Sequence, residues 1–135
     1  MSGTILVNVS ELLKLNSPVT LDQVEALRSA MIGTQASEVR QGLTELNQQI
    51  SAGNASESQY ARAGVVAYLL SRHPEADRLL SNVKSDGVAI YFHGQVLTSL
   101  GRHQEAASRF EDAGKVGYDR IDATLRQAGA IRAGG

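Results

Sequence analysis

The sequence predicts an all-α chain of seven or eight helices, arranged as antiparallel helix hairpins stacked into a short α-solenoid. Three observations predict it. Cap residues and glycines recur at helix-length intervals. No segment shows the period-two alternation of a half-buried strand. One stretch of the chain also repeats itself at an offset of 30 residues. The loops left between helices are two to five residues long, the length that joins antiparallel neighbours.

Ser10-Glu11-Leu12-Leu13 reads as one short helix, with Thr4 to Val7 either extended or the start of that helix. Thr20-Leu21-Asp22-Gln23 is a capping box: the Thr20 hydroxyl accepts the Gln23 N–H, and Gln23 reaches back. The helix it opens runs to Ile32, with Leu21, Val24, Leu27, Ile32 and Ala30 or Met31 on one side. Gly33 is placed as its left-handed terminator. The next helix carries Val39, Leu43, Leu46 and Ile50 at spacings of four, three and four, opposite a polar face, and Gly53-Asn54 ends it.

A long helix is predicted from Glu57 to Arg72, capped by Ser56 with Gln59 three residues on. A short one begins at Pro74, with His73 as its cap residue, and reaches about Val83. Asp86-Gly87 opens a helix that runs through Leu100 to Gly101. Gln104 to Lys115 is the next, closed near Gly117, and Asp119 caps a last helix to about Ala133. All of this fits one domain over 1–135, an N-terminal helical region at 1–54 and the repeats at 56–135.

Composition removes several classes of function. Cysteine is absent, which excludes a disulfide scaffold and a cysteine-based zinc or redox site. Thirteen Lys+Arg stand against 14 Asp+Glu, so the chain lacks the basic footprint of a nucleic-acid binder. Arginines outnumber lysines ten to three, but they are interspersed with acids and form no run. The apolar run Ile5-Leu6-Val7 follows no early Lys or Arg and is too short for a signal peptide. No stretch approaches the ~18 apolar residues of a membrane helix. The expectation is a soluble cytoplasmic protein with no nucleic-acid partner and no membrane insertion.

The repeat pairs Ser71-Arg72-His73-Pro74-Glu75-Ala76 with Gly101-Arg102-His103-Gln104-Glu105-Ala106. Residues 60–83 and 90–113 share seven identities, Gly64 with Gly94 among them. A mid-helix glycine costs about 1 kcal/mol against alanine. Close approach of a neighbouring helix is the expected reason for both. Gly94, Leu97, Ala106 and Phe110, with Gly101 at the turn, stand at the spacings of the tetratricopeptide repeat, and this region resembles that family. Gly64, Ala67, Ala76, Leu80 and Val83 follow more loosely. The family's early Trp is replaced by Tyr60 and Ile90, and its closing Pro by Tyr118.

The resemblance implies a concave face lined by the first helix of each unit. Val65, Tyr68 and Leu69 belong to it from the first unit, Tyr91, Gln95 and Thr98 from the second, and Arg132 from a third. Ala61, Val65 and Tyr91 stand where a clamp for a C-terminal carboxylate would need polar groups, so an apolar or amphipathic partner segment is expected instead. The function implied is an adaptor, scaffold or chaperone. The alternative is a structural subunit or accessory adaptor of a filament or larger assembly, in the manner of kinesin light chains. It would dock another protein or its own subunits through the apolar stripe Ile121, Leu125, Ala128 and Ile131. That stripe calls for a cap, whether the last helix itself, a longer chain or another subunit.

No catalytic group, cofactor or metal is expected. His73 and His103 share one repeat position and so lie about a repeat apart, while His93 is on another face; turn or surface roles are expected for all three. Glu75 and Glu105 fall in first helical turns, where carboxylates favour the dipole. No GxSxG, GxxxxGK[ST] or GxGxxG occurs.

Overall fold

The computed structural model describes residues 8–134, and at 120–123 the backbone alone. Among the described residues there are eight helices and no strand: α1 (Val9–Lys14), α2 (Leu21–Ile32), α3 (Ala36–Ser51), α4 (Glu57–Leu69), α5 (His73–Leu80), α6 (Gly87–Ser99), α7 (His103–Lys115) and α8 (Arg120–Ala133). The readings placed on Thr4 to Val7 lie outside the described residues. No helix among them is long and apolar enough to cross a membrane.

The caps act where the sequence puts them. Thr20 accepts the Gln23 N–H at 3.2 Å while Gln23 accepts the Thr20 N–H at 3.4 Å. Ser56 and Gln59 form the same reciprocal box on α4. Asp86 caps α6 by accepting the Ala89 N–H at 3.1 Å. Three boundaries differ from expectation. Gly33 has φ −89° and is not left-handed. α4 stops at Leu69, because Ser71 takes φ 61° and its successor Arg72 donates back to the Ala67 carbonyl at 2.8 Å. That closes the end of the helix as a Schellman motif. Arg72, not His73, then holds the cap position of α5.

α4 and α5 form one hairpin, α6 and α7 the next, and α6 packs on α4 and α5 as well as on α7. The two glycines sit at matching contacts. A Cβ on Gly64 would stand 2.5 Å from Leu80 Cδ2, and one on Gly94 2.5 Å from Phe110 Cε1. Leu80 and Phe110 are themselves equivalent in the repeat. The offset of 30 is therefore a spatial repeat of one packing contact, and close approach is what offsets the cost of each glycine.

α1, α2 and α3 pack on one another and on α4. Val24, Leu27 and Ala30 of α2 are buried, but Leu21 is 49% and Ile32 82% exposed. The α2 face is thus narrower than the sequence pattern suggests. Val39, Leu43 and Leu46 of α3 are buried as expected. One apolar core runs from Val9 of α1 through both hairpins to Ala130 of α8. α8 lies along α7 and leaves Leu125 66% and Ile131 56% exposed, with Ala128 exposed between them. The stripe predicted there is open at these three positions; the Ile121 side chain lies outside the described atoms.

Candidate functional site

The first helix of each hairpin, α4 and α6, carries most of the residues expected on a partner-binding face. Their burial divides that face in two. Val65 is 1% and Tyr91 6% exposed, so both are core side chains with no surface to offer. The physical reason is covering. α4 has α1, α2, α3, α5 and α6 as neighbours, so the N-terminal helices fill ground that an open repeat would leave free. Tyr91 is stacked on Tyr118 at 4.4 Å and 16°, and stands 5.6 Å from Phe110. Tyr68, Leu69 and Gln95 are half-buried, and Thr98 is exposed. Arg132 is exposed on α8.

Some of these residues meet. Gln95 donates to the Tyr91 hydroxyl at 3.0 Å, and the Thr98 hydroxyl donates to the Gly94 carbonyl at 2.9 Å. Tyr68 lies 5.4 Å from Phe92 and 5.9 Å from His73. Of the six Tyr and Phe residues in the chain, five join in one connected ladder across α4, α6, α7 and the turn after α7: Tyr68, Phe92, Tyr91, Phe110 and Tyr118. Ring contacts of this kind add about 1 kcal/mol each beyond area burial. The ladder therefore stiffens the platform on which Tyr68 and Leu69 stand.

Two buried polar groupings were not legible as such. His93 is 5% exposed and sits between the hairpins. Arg109 Nε, which can only donate, reaches His93 Nδ1 at 2.9 Å. The ring proton is therefore on Nε2, which donates to Asp77 at 2.8 Å. Arg102 donates to the other oxygen of Asp77 at 2.6 Å and also pairs with Glu105. Arg109 further donates to the Val83 carbonyl at 2.8 Å and pairs with Asp112. Burial holds His93 below the usual histidine range, with Arg109 adding to that and Asp77 opposing it. For Asp77, burial pushes upward, but the bonds from His93 and Arg102 together bring it below the usual range. The expectation of a turn or surface histidine fails at His93. Among the described residues, no three His, Cys, Asp or Glu side chains are grouped to hold a metal.

The second grouping holds the chain between α1 and α2. Arg62, 2% exposed, donates to the carbonyls of Leu15 and Ser17, each at 2.8 Å, and to Gln23 of the α2 capping box at 2.9 Å. Asp86, 5% exposed, accepts the Val19 N–H at 2.8 Å. Burial lowers the Arg62 pKa, and the field of Asp86 works against that. In the sequence, Arg62 is one of ten arginines interspersed with acids, with nothing in its immediate neighbours to mark it as buried. A signal was present in the repeat itself: Arg62 aligns with Phe92, and His93 with Ala63, so both occupy positions whose sister residue is apolar and buried.

Beside this linker a cleft of about 520 Å³ opens where the chain enters α2, enters α6 and leaves α7. No family model matches this chain, and no curated protein or solved structure matches it.

Proposed function

We propose that this chain is a non-enzymatic protein–protein interaction module of tetratricopeptide type, an adaptor, scaffold or chaperone working in the cytoplasm. It holds an apolar or amphipathic partner segment against the open part of its repeat face, centred on Tyr68, Leu69, Gln95 and Thr98. The observation that carries the reading is the pair of hairpins built on one contact, Gly64 on Leu80 and Gly94 on Phe110. A rigid array of this kind has value as a surface. Half-buried Tyr68 and Leu69 supply apolar surface on it, and exposed Thr98 occupies the position of Tyr68 in the next unit. Val65 and Tyr91 act from beneath as support.

The test is capture of partners from a lysate of the source cell by the full chain and by Tyr68→Ser with Thr98→Arg. Loss of captured proteins with an unchanged helical circular dichroism spectrum is expected. Identical capture by the two chains would refute the face. A second reading, a subunit of a larger assembly, is favoured by Leu125 and Ile131, 66% and 56% exposed on α8. Light scattering across concentration tests it: growth in mass that Leu125→Glu abolishes supports assembly, and a strict monomer removes it.

A further inference from the structure

The cleft at the start of α2 and α6 has the makings of a second docking surface. Three separate turns build it: Pro18 to Asp22, Ser85 to Val88, and Val116 to Asp119. Leu21, Val88, Val116 and Tyr118 are among the apolar side chains that line it, with Pro18 and Val19 beside them. Leu21 is 49% and Val116 41% exposed, so two of the exposed large apolar side chains among the described residues line one cavity. Single exposed leucines need no explanation, but convergence on a concave site does.

The charged side chains that line it are acidic, although the buried Arg62 behind Asp86 offsets part of that residue's charge. Asp22, Asp86 and Asp119 line the cleft, and no Lys or Arg is among the described residues that do. Asp86 spends its two oxygens on the N–H groups of Val19 and Ala89, so its charge stays fixed beneath the floor. Asp22 is exposed at the rim. One wall is the linker whose main chain Arg62 and Asp86 already grip. That wall is held rigid and does not need to be ordered when something binds.

We infer that this cleft receives an apolar side chain of a partner polypeptide whose flanking residue is Lys or Arg. The apolar group fills the space between Leu21, Val116 and Tyr118, and the cation sits at the Asp22 rim. The site is distinct from the Tyr68 face but rests on the reading of the chain as a protein-binding module.

A random heptapeptide library displayed on phage, panned on the full chain, tests it. Selected peptides are then synthesised and titrated by fluorescence anisotropy. Peptides with a Lys or Arg beside Leu, Ile or Phe are expected. Their affinity should fall about tenfold in Val116→Glu and in Leu21→Glu, since each puts a charge where the apolar side chain would be buried. It should weaken in Asp22→Lys and with added salt, and hold in Tyr68→Ser. Leu21 and Val116 are exposed enough that the variants keep the parent melting curve. Enrichment of acidic peptides, or of peptides indifferent to the cleft variants, overturns the cleft. Peptides lost with Tyr68→Ser but not with Val116→Glu overturn it while leaving the proposed face standing, and an empty selection overturns both.

Discussion

The two hairpins are built on one plan and stabilised in different ways. In α4–α5 the sequence spends Arg62 and Glu57 on outside chain: Arg62 on the linker before α2, and Glu57 on the N–H groups of Lys84 and Ser85. In α6–α7 the equivalent positions are Phe92 and Gly87. Phe92 joins the aromatic ladder, and Gly87 lets the Tyr118 backbone approach directly: a Cβ there would lie 3.2 Å from the Tyr118 nitrogen. The first hairpin thus grips peptide groups with charges, and the second packs rings. The shared contact between glycine and the facing helix sets the fold. What surrounds it is free to diverge.

Exchanging residues between the hairpins breaks this comparison point by point. The largest effect is expected from Arg62→Phe, which writes the second hairpin's residue into the first. It strips the Leu15 and Ser17 carbonyls of their buried donor, and a loss of about 3 kcal/mol is expected in urea unfolding. Next is Gly94→Ala. The added Cβ meets three ring atoms of Phe110 at 2.5–2.8 Å, and overpacking against a ring that cannot fold away costs about 2 kcal/mol even after the helix-propensity gain. Gly64→Ala meets the branch carbon and one methyl of the buried Leu80 and should cost a comparable amount. The comparison sharpens in a Phe110→Leu background, where the cost of Gly94→Ala should drop by about 1 kcal/mol in a double-mutant cycle.

The second exchange is His93→Ala, the residue found at position 63. The folded chain holds His93 below the ordinary histidine value of 6.5. The unfolded chain therefore takes up the proton first as pH falls, and stability drops from neutrality downward. Protonation would also set a ring N–H against Arg109 Nε. Asp77, held below its ordinary value of 3.8, adds its own loss only in stronger acid. Unfolding free energies measured from about pH 7 to about pH 5 should slope downward in the parent and run nearly flat in His93→Ala. The smallest effect is a gain. Ser71 adopts φ 61° where the sister turn has Gly101 at 77°. Ser71→Gly should raise stability by about 0.5 kcal/mol, read as a higher melting temperature.

Local chemistry was legible in the sequence, and covering was not. Thr20 with Gln23, Ser56 with Gln59, and Asp86 announced themselves because each cap needs only residues within three positions. Gly64 and Gly94 were legible because a glycine inside a helix demands a neighbour, and the repeat supplied the same demand twice. Arg62 was not, because its partners lie 45 and 47 residues away and an arginine in a helix reads as solvated. Val65 and Tyr91 were assigned to a face by the resemblance and by their spacing within it. Period says which side of a helix a residue occupies, but not which distant segment covers that side. Gly42 of α3 belongs with these: it lets Leu13 of α1 approach, in a region where no repeat pointed to the contact.

The grip on the linker falls on its main chain. Arg62 and Asp86 hold the Leu15 and Ser17 carbonyls and the Val19 N–H, while the Asn16 side chain is exposed and takes no part in these bonds. The side chain at position 16 is therefore interchangeable as far as the hold is concerned. A fluorophore or an affinity handle attached at Asn16 would ride on a fixed strap without loosening it. Because one end of the strap is tied to α4 and the other to the cap of α6, a label there would report directly on whether the two hairpins keep their distance.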